Sequence, residues 1–291
     1  MLNRGLCSVV GLVAVATFLS AGSAATVERK VLIDGRTLGA WTPAESTLSL
    51  ETVAGEPAFR FYVPVDWSAG EQNYPVGWPR ISLRLPDDST DWRQWDQLRL
   101  RVYAPPDDPP LPRDPIGVAL GTGERHSSWG RVAEGLPRGQ WTDFAFDLSD
   151  VPNRDHVHTV TIYISEEAYP DGAKLRFYIS ALELVRYLQP TLLALQSSPT
   201  VAFADAPALP LTLRVAGVRS GAPARLPIAL MRGNACLASA AVQVDEGLTT
   251  VTFPLPAGTP PGDYTLVAGA GDQAISRPLR LVASPWQEAA Q

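Results

Sequence analysis

Twenty-seven prolines are spread through 291 residues, about one in every eleven. An α-helix accepts proline only in its first turn, because further in the ring removes a backbone donor and clashes with the preceding carbonyl. A chain punctuated this often is not built from helices, and all-helical folds are excluded. Disorder is excluded too, since apolar residues make up 45% of the chain and include 8 tryptophans, 8 tyrosines and 8 phenylalanines, ample material for packed cores. The 24 basic and 30 acidic side chains leave a net charge of −6. That balance argues against a phosphate-backbone partner, and no nucleic acid is expected.

Arg4 precedes an apolar run from about Leu6 to Ala21, which ends in the small residues Ala21-Gly22-Ser23-Ala24-Ala25. This is the pattern of a secretory signal peptide over residues 1–24. The run is shorter than the roughly 20 residues that cross a bilayer and is interrupted by Ser8, Gly11 and Thr17. The mature chain is therefore expected to be exported, whether periplasmic, extracellular or at the cell surface. No later stretch is apolar enough to span a membrane. Cys7 leaves with the signal, so Cys236 stands alone without an intramolecular disulfide. Its neighbours Ala235, Leu237 and Ala238 suggest a small buried hydrophobe.

The remainder divides near Leu188-Gln189-Pro190. Residues 25–188 hold seven of the eight tryptophans, seven of the eight tyrosines and all three histidines, with a charge balance of −7. Residues 189–285 are poor in aromatics and read as a spacer or support, and 286–291 as a tail. Both halves show apolar residues at period two in short runs. Examples are Ile81-Leu83-Leu85, Leu98-Leu100-Val102, Phe144-Phe146-Leu148, Val160-Ile162-Ile164, Leu175-Phe177-Ile179, Leu209-Leu211-Leu213-Val215 and Val251-Phe253-Leu255. Each is a strand with one buried and one wet face, and the fold class is all-β, two β-sandwiches in series.

The stretches Asp91-Trp92-Arg93-Gln94-Trp95-Asp96-Gln97-Leu98-Arg99-Leu100-Arg101-Val102-Tyr103 and Gly139-Gln140-Trp141-Thr142-Asp143-Phe144-Ala145-Phe146-Asp147-Leu148, with a closing strand over 173–185, resemble strands of the galactose-binding-like jelly roll, the fold of many carbohydrate-binding modules. The resemblance covers about 150 residues. It implies a jelly roll that binds a polysaccharide or other glycan, and a structural calcium. Family members often carry acidic residues in the closing strand where this chain has Ser180-Ala181, which speaks against that calcium. The second half resembles a bacterial immunoglobulin-like module, on the turn Pro261-Gly262-Asp263 directly before the strand led by Tyr264.

Motifs that would carry chemistry are mostly missing. There is no nucleophile elbow, phosphate loop or dinucleotide fingerprint. Glu166-Glu167 is a loop pair whose adjacent side chains point apart, unlike the facing carboxylates of a glycosidase. His156 and His158 share a strand face, yet no third ligand follows at a recognisable spacing, and a surface pair beside Asp155 is the plainer reading. Aromatics are the stronger signal. A long loop over 64–79 carries Asp66, Trp67, Glu71, Tyr74 and Trp78, and a flat ring beside a polar side chain suits the apolar face and polar rim of a sugar. The competing possibility is that these rings plug the end of the sandwich. Trp92, Trp95 and Trp141, at strand entries, are expected in the core.

If successive strands alternate in direction, the loops at 36–47, 64–80, 105–114 and 166–173 open at one end. That end would collect Trp41, Asp66, Trp67, Glu71, Tyr74, Trp78, Arg80 and Tyr169 as a glycan site, with no catalytic residue. Two other classes of function remain open at this stage: an adhesion module with a protein partner, and a hydrolase using acidic loop residues.

Overall fold

The computed structural model describes residues 26–69, 77–123, 127–219 and 224–285. The expected signal peptide and tail lie outside the described residues. So do Glu71 and Tyr74. The described residues form strands and three short 3-10 turns, at Asp87–Ser89, Glu166–Ala168 and Gly271–Gln273, without an α-helix. No helix among them is long and apolar enough to cross a membrane.

The strands in chain order are β1 Val27–Ile33, β2 Thr42–Ala44, β3 Thr47–Val53, β4 Glu56–Pro64, β5 Arg80–Arg84, β6 Gln97–Tyr103, β7 Gly117–Thr122, β8 Ser127–Val132, β9 Trp141–Asp147, β10 Val157–Tyr163 and β11 Lys174–Tyr187. There follow β12 Thr191–Ser197, β13 Val201–Phe203, β14 Ala208–Ala216, β15 Ala224–Arg232, β16 Ala235–Val244, β17 Gly247–Pro254, β18 Gly262–Ala268 and β19 Ile275–Val282. Sheet I has the order β3-β4-β11-β6-β9 with β1 also on β11, and sheet II the order β2-β5-β10-β7-β8. All their ladders are antiparallel. The inward faces of I and II enclose one core, which includes Phe59, Phe61, Trp92, Trp95, Leu98, Leu100, Ile162 and Phe177. Burial of alternate apolar residues is what holds each strand in register, because a slip of one residue would turn the whole set to water.

The 14-residue β11 organises sheet I. Its first half pairs with β4, its second half with β6 and β1, and the register shifts between Ile179 and Ala181. An extra residue of this kind bends a strand and increases its twist, which lets one segment serve three neighbours.

Sheets III (β12-β14-β17) and IV (β13-β19-β18-β15-β16) enclose a second core around Leu213, Ile228, Leu230, Phe253 and Leu266. Tyr264 is buried, and its hydroxyl donates to the Pro260 carbonyl at 2.6 Å. Cys236 is exposed, contrary to the expectation from its apolar neighbours. It sits at the start of β16, an edge strand of sheet IV, where the ladder to β15 is irregular, and an edge leaves such a residue uncovered.

Three residues, Leu188 to Pro190, separate β11 from β12, and ion pairs link the two sandwiches. The Asp96 side chain is 1% exposed. It accepts from the Tyr187 amide at 2.6 Å, the Gly217 amide at 3.1 Å and the Arg219 guanidinium at 3.0 and 3.1 Å. Gly217 adopts φ +75°, and a Cβ there would lie 2.2 Å from the Gln189 carbonyl oxygen, so no larger residue could make this approach. Arg154 pairs with Glu246 at 3.0 Å, and Arg214 with Asp147.

Candidate ligand-binding surface

The loops that follow β4 and β10 are tied together at one end of the first sandwich. Glu166 Oε1 accepts the Asp66 amide at 3.2 Å, Asp171 accepts the Trp67 amide at 3.0 Å, and the Trp67 indole donates to the Glu166 carbonyl at 3.3 Å. Asp66 turns inward on its own loop, accepting from the Ser68 amide and hydroxyl at 2.9 and 2.6 Å, and these bonds hold its carboxyl below the usual range. Glu45, in the left-handed region at φ 50°, accepts the Trp78 amide at 2.6 Å.

Glu166 is buried while Glu167 is exposed, so the two do point apart. Glu166 faces Glu45 instead. A Cβ on Gly77 would lie 2.4 Å from Glu166 Oε2 and 2.5 Å from Glu45 Oε2, which puts the two carboxylates side by side beneath the loop. Glu166 Oε2 has no hydrogen-bond partner of proper geometry. Burial pushes its carboxyl above the ordinary range, and the Glu45 and Asp66 carboxylates add to the shift, while amides of Asp66 and Gly77 oppose it. Glu166 is 3% exposed, so its carboxyl is closed off from solvent.

The expected aromatics separate into two groups. Trp67 and Trp78 are 45% and 39% exposed. Trp41 and Tyr169 are 6% and 2% exposed and belong to the core, a correction to their placement at the ligand end. Each has its polar atom satisfied inside: the Trp41 indole donates to the Leu32 carbonyl at 3.3 Å, and the Tyr169 hydroxyl to the Pro115 carbonyl at 2.6 Å. A large ring with an internal partner is worth more as a plug than as an open surface. Trp92 and Trp95 are core as expected. Trp141 is not: it lies half-buried on the outer face of sheet I, 5.4 Å from Tyr103.

Sequence reasoning missed the outer face of sheet II. Register places Ala44, Arg80, Tyr163, Gly117 and Val132 in one row across β2-β5-β10-β7-β8, then Thr42, Ser82, Thr161, Ala119 and Gly130, then Arg84, Thr159, Gly121 and Ser128. The opposite face carries Ile81, Leu83, Val118, Leu120, Trp129, Val160 and Ile162, all turned to the core or packed against it. Small residues on β7 and β8 thus form a low strip beside β10. The Tyr163 ring lies over Gly117, where a Cβ would be 2.5 Å from it, and Trp78 packs on Tyr163 with centroids 5.7 Å apart. The Arg80 guanidinium stands 4.8 Å above the Trp78 ring and donates to its carbonyl at 2.9 Å. Further along, Ser82 and Thr161 share a hydrogen bond of 3.1 Å, and His158 and Thr159 one of 3.0 Å. The small-apolar alternation Gly117-Val118-Ala119-Leu120-Gly121 was the available signal for this strip.

Among the described residues no three His, Cys, Asp or Glu side chains converge on a point that could hold a metal, and the closing strand offers Ser180 and Ala181 at its irregularity. His156 is exposed and lies 3.4 Å from Asp155, whereas His158 lies against Gly121. The irregular register between Val157 and Thr159 separates the two imidazoles.

No family model matches the chain, and no curated protein matches it. Among solved structures it is similar to the glycoside hydrolase domain Spr0440, Endo-D, of Streptococcus pneumoniae R6, with 14% identity, TM-score 0.32, and coverage of 82% of this chain and 36% of that one. The chain thus spans about a third of that hydrolase domain. It is also similar to CBM27-1 of Caldicellulosiruptor saccharolyticus in complex with mannohexaose, with 12% identity, TM-score 0.38, and coverage of 55% and 97%. A third is the CBM22-1 xylan-binding domain of Paenibacillus barcinonensis Xyn10C, with 12% identity, TM-score 0.37, and coverage of 57% and 97%. At these scores and identities, the functional reading rests on this chain's own residues.

Proposed function

We propose that this is an exported, non-catalytic glycan-binding protein. In this reading residues 1–24 are removed, 25–188 are a jelly-roll binding module, and 189–285 are an immunoglobulin-like sandwich that supports it. The observation that supports it is the stack of Arg80, Trp78 and Tyr163 at the head of a low strip of glycine and alanine. A partly exposed tryptophan ring beside hydroxyls and a guanidinium matches the alternation of C–H face and polar rim that a sugar offers. Compared with the expected site, the ligand surface keeps Trp78 and Arg80, runs onto sheet II through Tyr163, and leaves Trp67 as a neighbour at the rim.

The test is retention of the full mature chain on a panel of immobilised polysaccharides, with Trp78→Ala beside wild type. Loss of about 1.4 kcal/mol of ring contact weakens binding about tenfold. Trp78 is substantially exposed, so melting should fall far less than for a buried tryptophan. Wild type that binds no polysaccharide, or a Trp78→Ala variant that binds as well as wild type, would overturn the reading.

A further inference from the structure

The loop over 64–79 carries the exposed Trp67 and Trp78, and two acids hold its ends. Glu166 Oε1 accepts the Asp66 amide at one end, and Glu45 Oε2 accepts the Trp78 amide at the other. Glu166 stands on the 3-10 turn after β10, and Glu45 in the turn between β2 and β3. Three segments distant in sequence therefore meet at this point. The charges that bear on Glu166 are those of Glu45 and Asp66, both negative. Nearby, Arg80 on β5 directs its guanidinium to the ring and carbonyl of Trp78, Asp171 accepts the Trp67 amide, and Glu167 is exposed.

Two oxygens at this meeting point lack a donor. Glu166 Oε2 and Glu45 Oε1 are both buried without a hydrogen-bond partner, and Glu166 as a whole is 3% exposed. The Oε2 atoms of the two acids lie 2.4 and 2.5 Å from the place a Cβ on Gly77 would occupy. They are thus within about 5 Å of each other, close enough for one charge to oppose the other. A buried acceptor left without a donor costs stability, and two carboxylates at this spacing resist ionising together. One proton answers both conditions. A neutral Glu166 carboxyl donates its O–H to the Glu45 carboxylate, and one charge remains where there were two. The upward displacement of the Glu166 carboxyl by burial and by its acidic neighbours agrees with such a proton. Gly77 leaves the room for it, since any side chain there would strike both carboxylates.

We propose that Glu45 and Glu166 form a proton-operated clasp: one shared proton keeps the Asp66 and Trp78 amides on their acceptors, and its loss frees Trp78 and weakens glycan binding as the medium turns alkaline. The effect on binding rests on the glycan reading above, whereas the clasp itself does not. At low pH the pair carries at most one charge and both amides are held. As pH rises through the range in which Glu166 ionises in the folded chain, two buried carboxylates repel each other and draw apart. Each takes its amide with it. Trp78 is tied to Glu45 through its own amide, so the ring that packs on Tyr163 at 5.7 Å shifts with that acid.

The experiment compares the full mature chain at pH 5 and pH 8 in two ways. The first is solvent exchange of the Asp66 and Trp78 amides by NMR, with the intrinsic pH dependence of exchange divided out. Wild type is expected to show about tenfold more protection at pH 5. Glu166→Gln and Glu45→Gln, each of which keeps a donor between the two side chains at every pH, are expected to abolish that difference. The second is affinity electrophoresis in gels of mannan, xylan and glucan, neutral polymers whose own charge does not change. Wild type is expected to bind about fivefold less tightly at pH 8, and Glu166→Gln to bind at pH 8 as wild type does at pH 5. Glu167→Gln, at the exposed neighbour, should keep the wild-type profile in both. Equal protection of wild type at the two pH values, or a difference that survives in both glutamine variants, overturns the clasp. So does protection restored at pH 8 by calcium chloride, which would make the pair a cation site. Retardation that ignores pH while protection changes overturns the link to binding. No retardation by any polymer at either pH overturns the glycan reading, and exchange then decides the clasp alone.

Discussion

Replacing Asp96 with alanine should strongly destabilise the joint between the two sandwiches. The carboxylate receives four donors, two of them backbone amides from Tyr187 and Gly217 and two from Arg219. Truncation leaves both amides without an acceptor, at about 1–3 kcal/mol each when they stay dry. Arg219 retains some access to water, with its side chain 33% exposed, so its own loss is partly recovered by hydration. Breaking a buried pair by removing one partner costs about 3–5 kcal/mol in total. For domains of this size each kcal/mol moves the melting temperature about 2–4 °C, so Asp96→Ala should melt about 6–20 °C lower. Asp96→Asn keeps an acceptor oxygen for the Tyr187 amide and should fall between the two. Scanning calorimetry of the full chain measures both. An Asp96→Ala protein that melts within about 2 °C of wild type would refute the reasoning.

Trp41→Ala should lose about 3–5 kcal/mol of stability as a buried ring, whereas Trp67→Ala should lose far less; urea unfolding of the two variants checks the contrast. The Glu166 carboxyl titrates higher in the folded chain than in the unfolded one, so the native state holds the extra proton and stability contributed by this group falls as pH rises from its unfolded value through its folded one. Glu166→Gln should therefore gain in melting temperature relative to wild type at pH 8, with the difference shrinking toward pH 4, as followed by thermal melts across that range. Cys236 should react with a thiol reagent in the native state at a rate close to that of the urea-unfolded chain, and slow labelling would mean that the edge of sheet IV is covered in solution.

Strand positions were legible because a half-buried strand writes its two environments into alternate residues. The run Leu98-Leu100-Val102, for instance, lies wholly in the core, and so do Leu209, Leu211 and Leu213 in the second sandwich. Ring function was not legible. Trp41 and Trp67 look alike in sequence, both in loops near polar residues, and both indoles donate to a backbone carbonyl at 3.3 Å; only the packing of sheet against sheet, which buries one ring and leaves the other out, decides which is a plug. Tyr163 falls at the wet position of the alternating run Val160-Ile162-Ile164, and nothing in that pattern announces that Trp78 folds onto it. The partnership of Asp96 with Arg219 joins residues 123 apart. Neither side chain carries a local pattern that announces it.

The short joint between the sandwiches, Leu188 to Pro190 braced by Asp96, Arg154 and Arg214, has a mechanical consequence. A supple tether would let the sheet II strip swing to meet a polymer from any direction, and tension on one half would be dissipated in the linker before it reached the other. A braced joint instead makes the second sandwich a handle. The heading of the first sandwich is fixed by the orientation of that handle, and torque applied to it is delivered across the joint through the guanidinium–carboxylate contacts.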